Sequence, residues 1–117
     1  MSPPTKSLNG FIVGKINDEA LQWASIVTVI EGVGVAALKY YAKTNDMKFF
    51  ALGEVSYITQ AYVLQRAFRD NKLGIVNAYW NGLTNITNTL VGMSMGESYT
   101  KYQFAGIGLI AAGILIL

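Results

Sequence analysis

Polarity along this chain changes in long blocks rather than residue by residue. Four apolar blocks, at about residues 22–42, 48–68, 73–95 and 102–117, are separated by short polar connections near 43–47, 69–72 and 96–101. A stretch of roughly 20 apolar residues crosses a hydrocarbon core of about 30 Å at about 1.5 Å per helical residue. The first three blocks meet that length, and the last, near 24 Å by the same arithmetic, makes a short helix. None of the blocks alternates with the period of two that a membrane barrel strand requires. The pattern predicts an all-α integral membrane protein: a four-transmembrane-helix bundle whose short connections make sequential helices antiparallel neighbours. Residues 1–21 form a polar to amphipathic N-terminal extension. It carries Pro3 and Pro4, a short apolar patch at Phe11, Ile12 and Val13, and then Asn17 and Asp18, either of which can cap a helix starting near Glu19.

Composition sharpens this picture. Of the 117 residues 52% are hydrophobic and 14% charged, and the mean hydropathy is +0.34, well short of the roughly one-quarter charged content of an ordinary soluble domain. With no cysteine and no histidine, the chain has no disulfide framework, thiol nucleophile, imidazole base or usual zinc and haem ligand. An enzyme is not expected, and no cofactor or metal is implied. The formal charge of +2 is spread over single basic residues rather than gathered into a patch, which argues against nucleic acid. Four spans put Lys6, Lys15, Arg66, Arg69 and Lys72 on one side and Lys39, Lys43, Lys48 and Lys101 on the other. So even a split gives almost no orientation signal. A chain with so little bias can insert both ways round and form an antiparallel homodimer, and a single orientation fixed by other factors is an equal alternative.

Glu31, in the middle of the first block, is the residue that carries most information. A carboxylate at membrane depth costs several kcal/mol and persists where it faces a partner or a wet cavity. Desolvation favours the neutral form of a carboxylate, so such a group can trade a proton for a cationic ligand. The structural alternative is a hydrogen-bonded Glu that holds helices together. In the third block Asn77, Asn81, Thr84, Asn85 and Asn88 fall within an arc of about 100° on one helix face. Such a stripe lines a cavity or joins helices by side-chain hydrogen bonds. The rings of Tyr57, Tyr79 and Trp80 can hold a cation or simply pack. Gly106 and Gly113 share one face of the last helix, and Gly32 and Gly34 flank Glu31; both pairs permit close helix approach.

Four segments read in order give a family resemblance. The first helix has IEGVGVAALK, with Glu31, Gly34 and Lys39; the second has Tyr57; the third opens GIVNAYWNG, with Gly74, Trp80 and Gly82; and the fourth has GIGLIAAG, with Gly106 and Gly113. Over residues 22–117 the chain resembles the small multidrug resistance family of four-helix, proton-coupled cation exporters. That resemblance implies a secondary transporter in which the two Glu31 carboxylates of a dimer, or of a pair with a paralogous partner, bind protons or a small cationic substrate in turn. It makes Glu31, Tyr57 and Trp80 the proton and substrate site, to which the polar face of the third helix adds Asn77 and Asn81, with Gly34, Gly74 and Gly82 the packing and hinge positions and Gly106 and Gly113 the dimer contact. Asn77 departs from the family, where many exporters carry a tyrosine, and with the rest of the stripe it favours a small polar cation or a site that no longer transports. The alternative reading is a noncatalytic four-helix subunit that packs in a larger membrane assembly.

Overall fold

In a computed structural model, which describes Gly14, Lys15 and residues 18–117, the described residues from Glu19 onward form four helices: α1 (Glu19–Thr44), α2 (Met47–Asp70), α3 (Leu73–Ser94) and α4 (Lys101–Ile116). The apolar patch at residues 11–13 lies outside the described residues. Asp18 starts α1 by accepting from the backbone N–H groups of Ala20 and Leu21 at 2.9 and 3.4 Å, which satisfies donors that a helix start leaves unpaired. The helix therefore begins at Glu19, a few residues before the apolar block itself.

The turn from α1 to α2 is only Asn45 and Asp46. Asn45 closes α1 in the left-handed conformation (φ 57°), its N–H bonded to the Tyr41 carbonyl at 2.7 Å, and Asp46 caps α2 through the N–H of Lys48 at 3.0 Å. Stacking of Tyr40 on Phe49 and the tilted contact of Tyr41 with Phe50, with ring centroids 5.4 and 5.2 Å apart, hold this hairpin from both sides. A capping box at Thr100 and Gln103 starts α4.

Small residues let the helices approach closely. The buried positions of α1 are Ala20, Ala24, Val27, Thr28, Gly34 and Ala37, and those of α2 are Gly53, Ser56, Gln60 and Ala67. A side chain at Gly34 would meet Ser56 Cβ at 2.9 Å, and one at Gly53 would meet Leu38 at 2.7 Å. α1 thus packs between α2 and α3, while α4 lies mainly against α3. In α4 only Ile114 is buried, and it sits over Gly82, where an added Cβ would lie 2.7 Å from Ile114 Cδ1. The remaining face of α4 is open: nothing lies within 4 Å of an added Cβ at Gly106, Gly108 or Gly113.

Four helices are present where four spans were expected. Among the described residues, however, α1 is the one helix long and apolar enough by itself to cross a membrane. The reason is the polar load of the others. α2 carries Glu54, Gln60, Gln65, Arg66 and Arg69, α3 carries its Asn and Thr residues, and α4 is apolar but 16 residues long. Large apolar side chains nevertheless stand outward on the bundle, among them Val29, Ile58, Leu109 and Ile116, each more than two-thirds exposed.

Candidate functional site

Glu31 lies midway along α1, half-buried, on the stripe that also carries Val27, Gly34 and Leu38. The two glycines beside it face different neighbours. An added Cβ at Gly32 would stand 3.2 Å from Thr87 Cγ2 of α3, and one at Gly34 would press on Ser56 of α2. Glu31 is thereby flanked by contacts of α1 with both helices. Trp80 of α3 donates its indole N–H to Glu31 Oε2 at 2.8 Å. Tyr57 of α2 lies close enough for the Glu31 charge to act on its phenol. Two helices thus join a carboxylate and an indole directly, with a phenol of the third within reach of the carboxylate's charge.

The other expected site residues lie apart from this cluster. Asn77 and Asn81 are exposed on the outer side of α3. Asn81 and Asn85 line a groove between α3 and α4 that also contains Ile110 and Gly113. Gly74 is open, and Gly82 acts as a packing surface for Ile114. No group of three or more potential metal ligands occurs among the described residues.

Gln60 is a site residue that reading the sequence missed. It is 5% exposed, and its carbonyl oxygen is buried without a hydrogen-bond partner, as are Thr84 Oγ1 and Asn88 Oδ1. Because Gly53 and Ser56 pack on Leu38 and Gly34, the antiparallel pairing of α1 and α2 brings Gln60 level with Ile30 and Glu31. A buried unpaired acceptor is costly. One glutamine inside an apolar block was the available signal.

Polar clusters pin α1 to α3 near both ends. At the start of α1, the fully buried Tyr79 donates its hydroxyl to Asp18 Oδ2 at 2.8 Å and accepts from Lys15 Nζ at 2.9 Å. At the far end Lys39 Nζ pairs with Glu97 Oε2 at 2.6 Å, and Tyr99 donates to Glu97 Oε1 at 2.8 Å. Gly92 makes room for this loop, since an added Cβ would fall 2.5 Å from the Tyr99 hydroxyl. The Lys39 hydrogen bond, followed by that from Tyr99, holds the Glu97 carboxyl below its ordinary value, and the same bond pushes the Tyr99 phenol up.

Glu97 has a depressed folded-state pKa, so the stability it contributes is present above its unfolded value, about 4.3, and is lost as pH falls through the lower folded value. Melting curves of the parent and Glu97→Gln should therefore differ by a small gap from neutral pH to about pH 4.3 that closes below it. A gap that is constant down to pH 3 would show that the carboxylate contributes nothing through this pair.

Residues 21–110 match the Small Multidrug Resistance protein family. The chain belongs to that family. Among its relatives, the quaternary ammonium compound-resistance protein QacE of Escherichia coli is 26% identical over 98 residues, covering 81% of this chain and 89% of that protein. The multidrug transporter PA4990 of Pseudomonas aeruginosa is 29% identical over 96 residues, covering 81% and 87%. No solved structure matches the chain. Small multidrug resistance proteins are integral membrane transporters rather than enzymes, so the outward apolar side chains of the bundle find their solvent in lipid.

Proposed function

We propose that this protein exports a small cationic compound in exchange for protons, with Glu31 as the group that holds either one. The contact that carries this reading is the Trp80 indole on the Glu31 carboxylate at 2.8 Å, which fixes an ionisable group at mid-membrane depth beside the aromatic surfaces of Trp80 and Tyr57. Such an arrangement suits a site for a positive charge. The quaternary ammonium and multidrug relatives support cationic cargo for this chain as well.

The active unit is an antiparallel homodimer. Asn77, Asn81 and Asn85 are exposed on the single protomer, and amides at that depth require protein or water in front of them. Beside them the glycine-bearing face of α4 is also open. A second copy covering both satisfies the amides and uses the close approach that glycines allow. Residues 22–117 then form the membrane domain, with α2 and α3 shielded from lipid along their polar faces.

The test is exchange in reconstituted vesicles. A gradient of guanidinium, a polyamine or tetraphenylphosphonium, each assayed separately, should drive protons the opposite way, and the cation that does so defines the cargo class. Protein that is folded and dimeric yet moves no protons with any of them would fit a noncatalytic membrane subunit instead.

A further inference from the structure

A second polar cavity lies outside the Glu31 site. It encloses about 280 Å³ between the C-terminal halves of α1 and α3, and its polar lining is Lys39, Asn85, Asn88, Thr89, Glu97 and Tyr99. Lys39 follows Glu31 by eight residues on the same helix, so the cavity mouth stands about 12 Å along the axis from Glu31 at about 1.5 Å per residue. It is large enough for several waters or one small organic cation. The carboxylate at its mouth is held by design of the loop. Gly92 is bare, Glu97 N–H bonds back to the Gly92 carbonyl at 2.9 Å, and Gly96 takes the left-handed conformation at φ 94°. Both Glu97 oxygens are engaged, one by the Lys39 ammonium and one by the Tyr99 hydroxyl.

Lys39 is thus an ammonium on a tether, sitting against a carboxylate that lines a polar cavity. The ion pair is about two-fifths exposed on each side, and pairs of that exposure add little net stability, so exchange of one ammonium for another there has a low cost. Lys43 acts on the same carboxylate through space.

We propose that Glu97 and Tyr99 form an outer binding site for an organic cation bearing N–H donors, that Lys39 occupies this site in the resting protein, and that the cargo displaces Lys39 before it reaches Glu31. The proposal rests on the exporter reading for its direction of travel, but the site itself is defined without it. It separates the two partners of one ion pair. A purely structural salt bridge is broken equally by losing either partner, whereas a competing internal ligand and its binding carboxylate act with opposite signs.

The experiment compares initial rates of guanidinium uptake in vesicles for the parent, Lys39→Gln and Glu97→Gln. Glu97→Gln is expected to raise KM about 3- to 10-fold and Lys39→Gln to lower it about 2- to 5-fold, the range by which charges at a binding mouth alter capture. Shifts in the same direction, or none, overturn the outer site. A second readout needs no transport. In Glu31→Gln protein, where the central carboxylate is absent, the ¹³C carboxylate resonance of Glu97 should move on adding guanidinium chloride and stay put in equal sodium chloride; an unmoved resonance overturns the site. Parent protein that moves no protons with guanidinium removes that ion as cargo while leaving the resonance to decide the site.

Discussion

Glu31→Gln should reduce cation-driven proton movement to the level of empty vesicles while leaving the helices and the dimer in place. Glutamine keeps the shape of the side chain, and its carbonyl can still accept from the Trp80 indole across the observed 2.8 Å. It cannot ionise, so it offers no proton to exchange and no charge for a cation. Trp80→Phe tests the same site from the other side, since it keeps a ring but removes the donor. A hydrogen bond to a charged group contributes about 1.5–3 kcal/mol, so the half-saturating cation concentration should rise by roughly tenfold or more. Proton release measured on the purified proteins checks both variants, with circular dichroism confirming the fold. Release by Glu31→Gln equal to that of the parent would remove Glu31 from the mechanism. An unchanged midpoint for Trp80→Phe would make the indole contact a packing feature.

The helices were legible in the sequence because block length and polar breaks are local properties. Asp18 and the glycines around Glu31 could be read for the same reason. What separates one partner from another was not legible. Glu31 and Trp80 lie 49 residues apart, and periodicity places each on a face without saying which face meets which. The Asn arc of α3 is a clear example. Its width followed from the spacing, but its outward direction at Asn77 and Asn81 depends on α1 and α4 taking the other sides of α3. Gln60 left no periodic trace, because a single amide among apolar residues is informative only once its carbonyl is known to be buried and unpaired. The Lys39–Glu97 pair joins a helix end to a loop 58 residues later, a contact that turn geometry at Gly92 and Gly96 creates and that composition cannot show.

The same chemical change made at different glycines should have opposite effects, and this separates the fold of the protomer from its assembly. At Gly82 an added side chain runs into Ile114, the one buried residue of α4. Gly82→Leu should therefore push α4 off α3. Overpacking of this kind costs about 1–3 kcal/mol, and here it acts on the main contact surface of α4. A lower melting temperature and faster proteolysis after Lys101 are expected, and a variant that melts and resists cleavage like the parent would show that α4 is held by something else. At Gly106 and Gly113 an added side chain meets nothing within 4 Å, and leaving glycine for leucine in a helix favours the helix by about 0.5–1 kcal/mol. Gly106→Leu with Gly113→Leu should leave the protomer as stable as before or slightly more so. Any loss must then appear between copies. Cross-linking in detergent is expected to show fewer dimers for the double variant, because bulk at both positions holds the fourth helices apart. A parental dimer population would mean that the open face of α4 meets lipid and that the two copies join along the Asn-bearing side of α3.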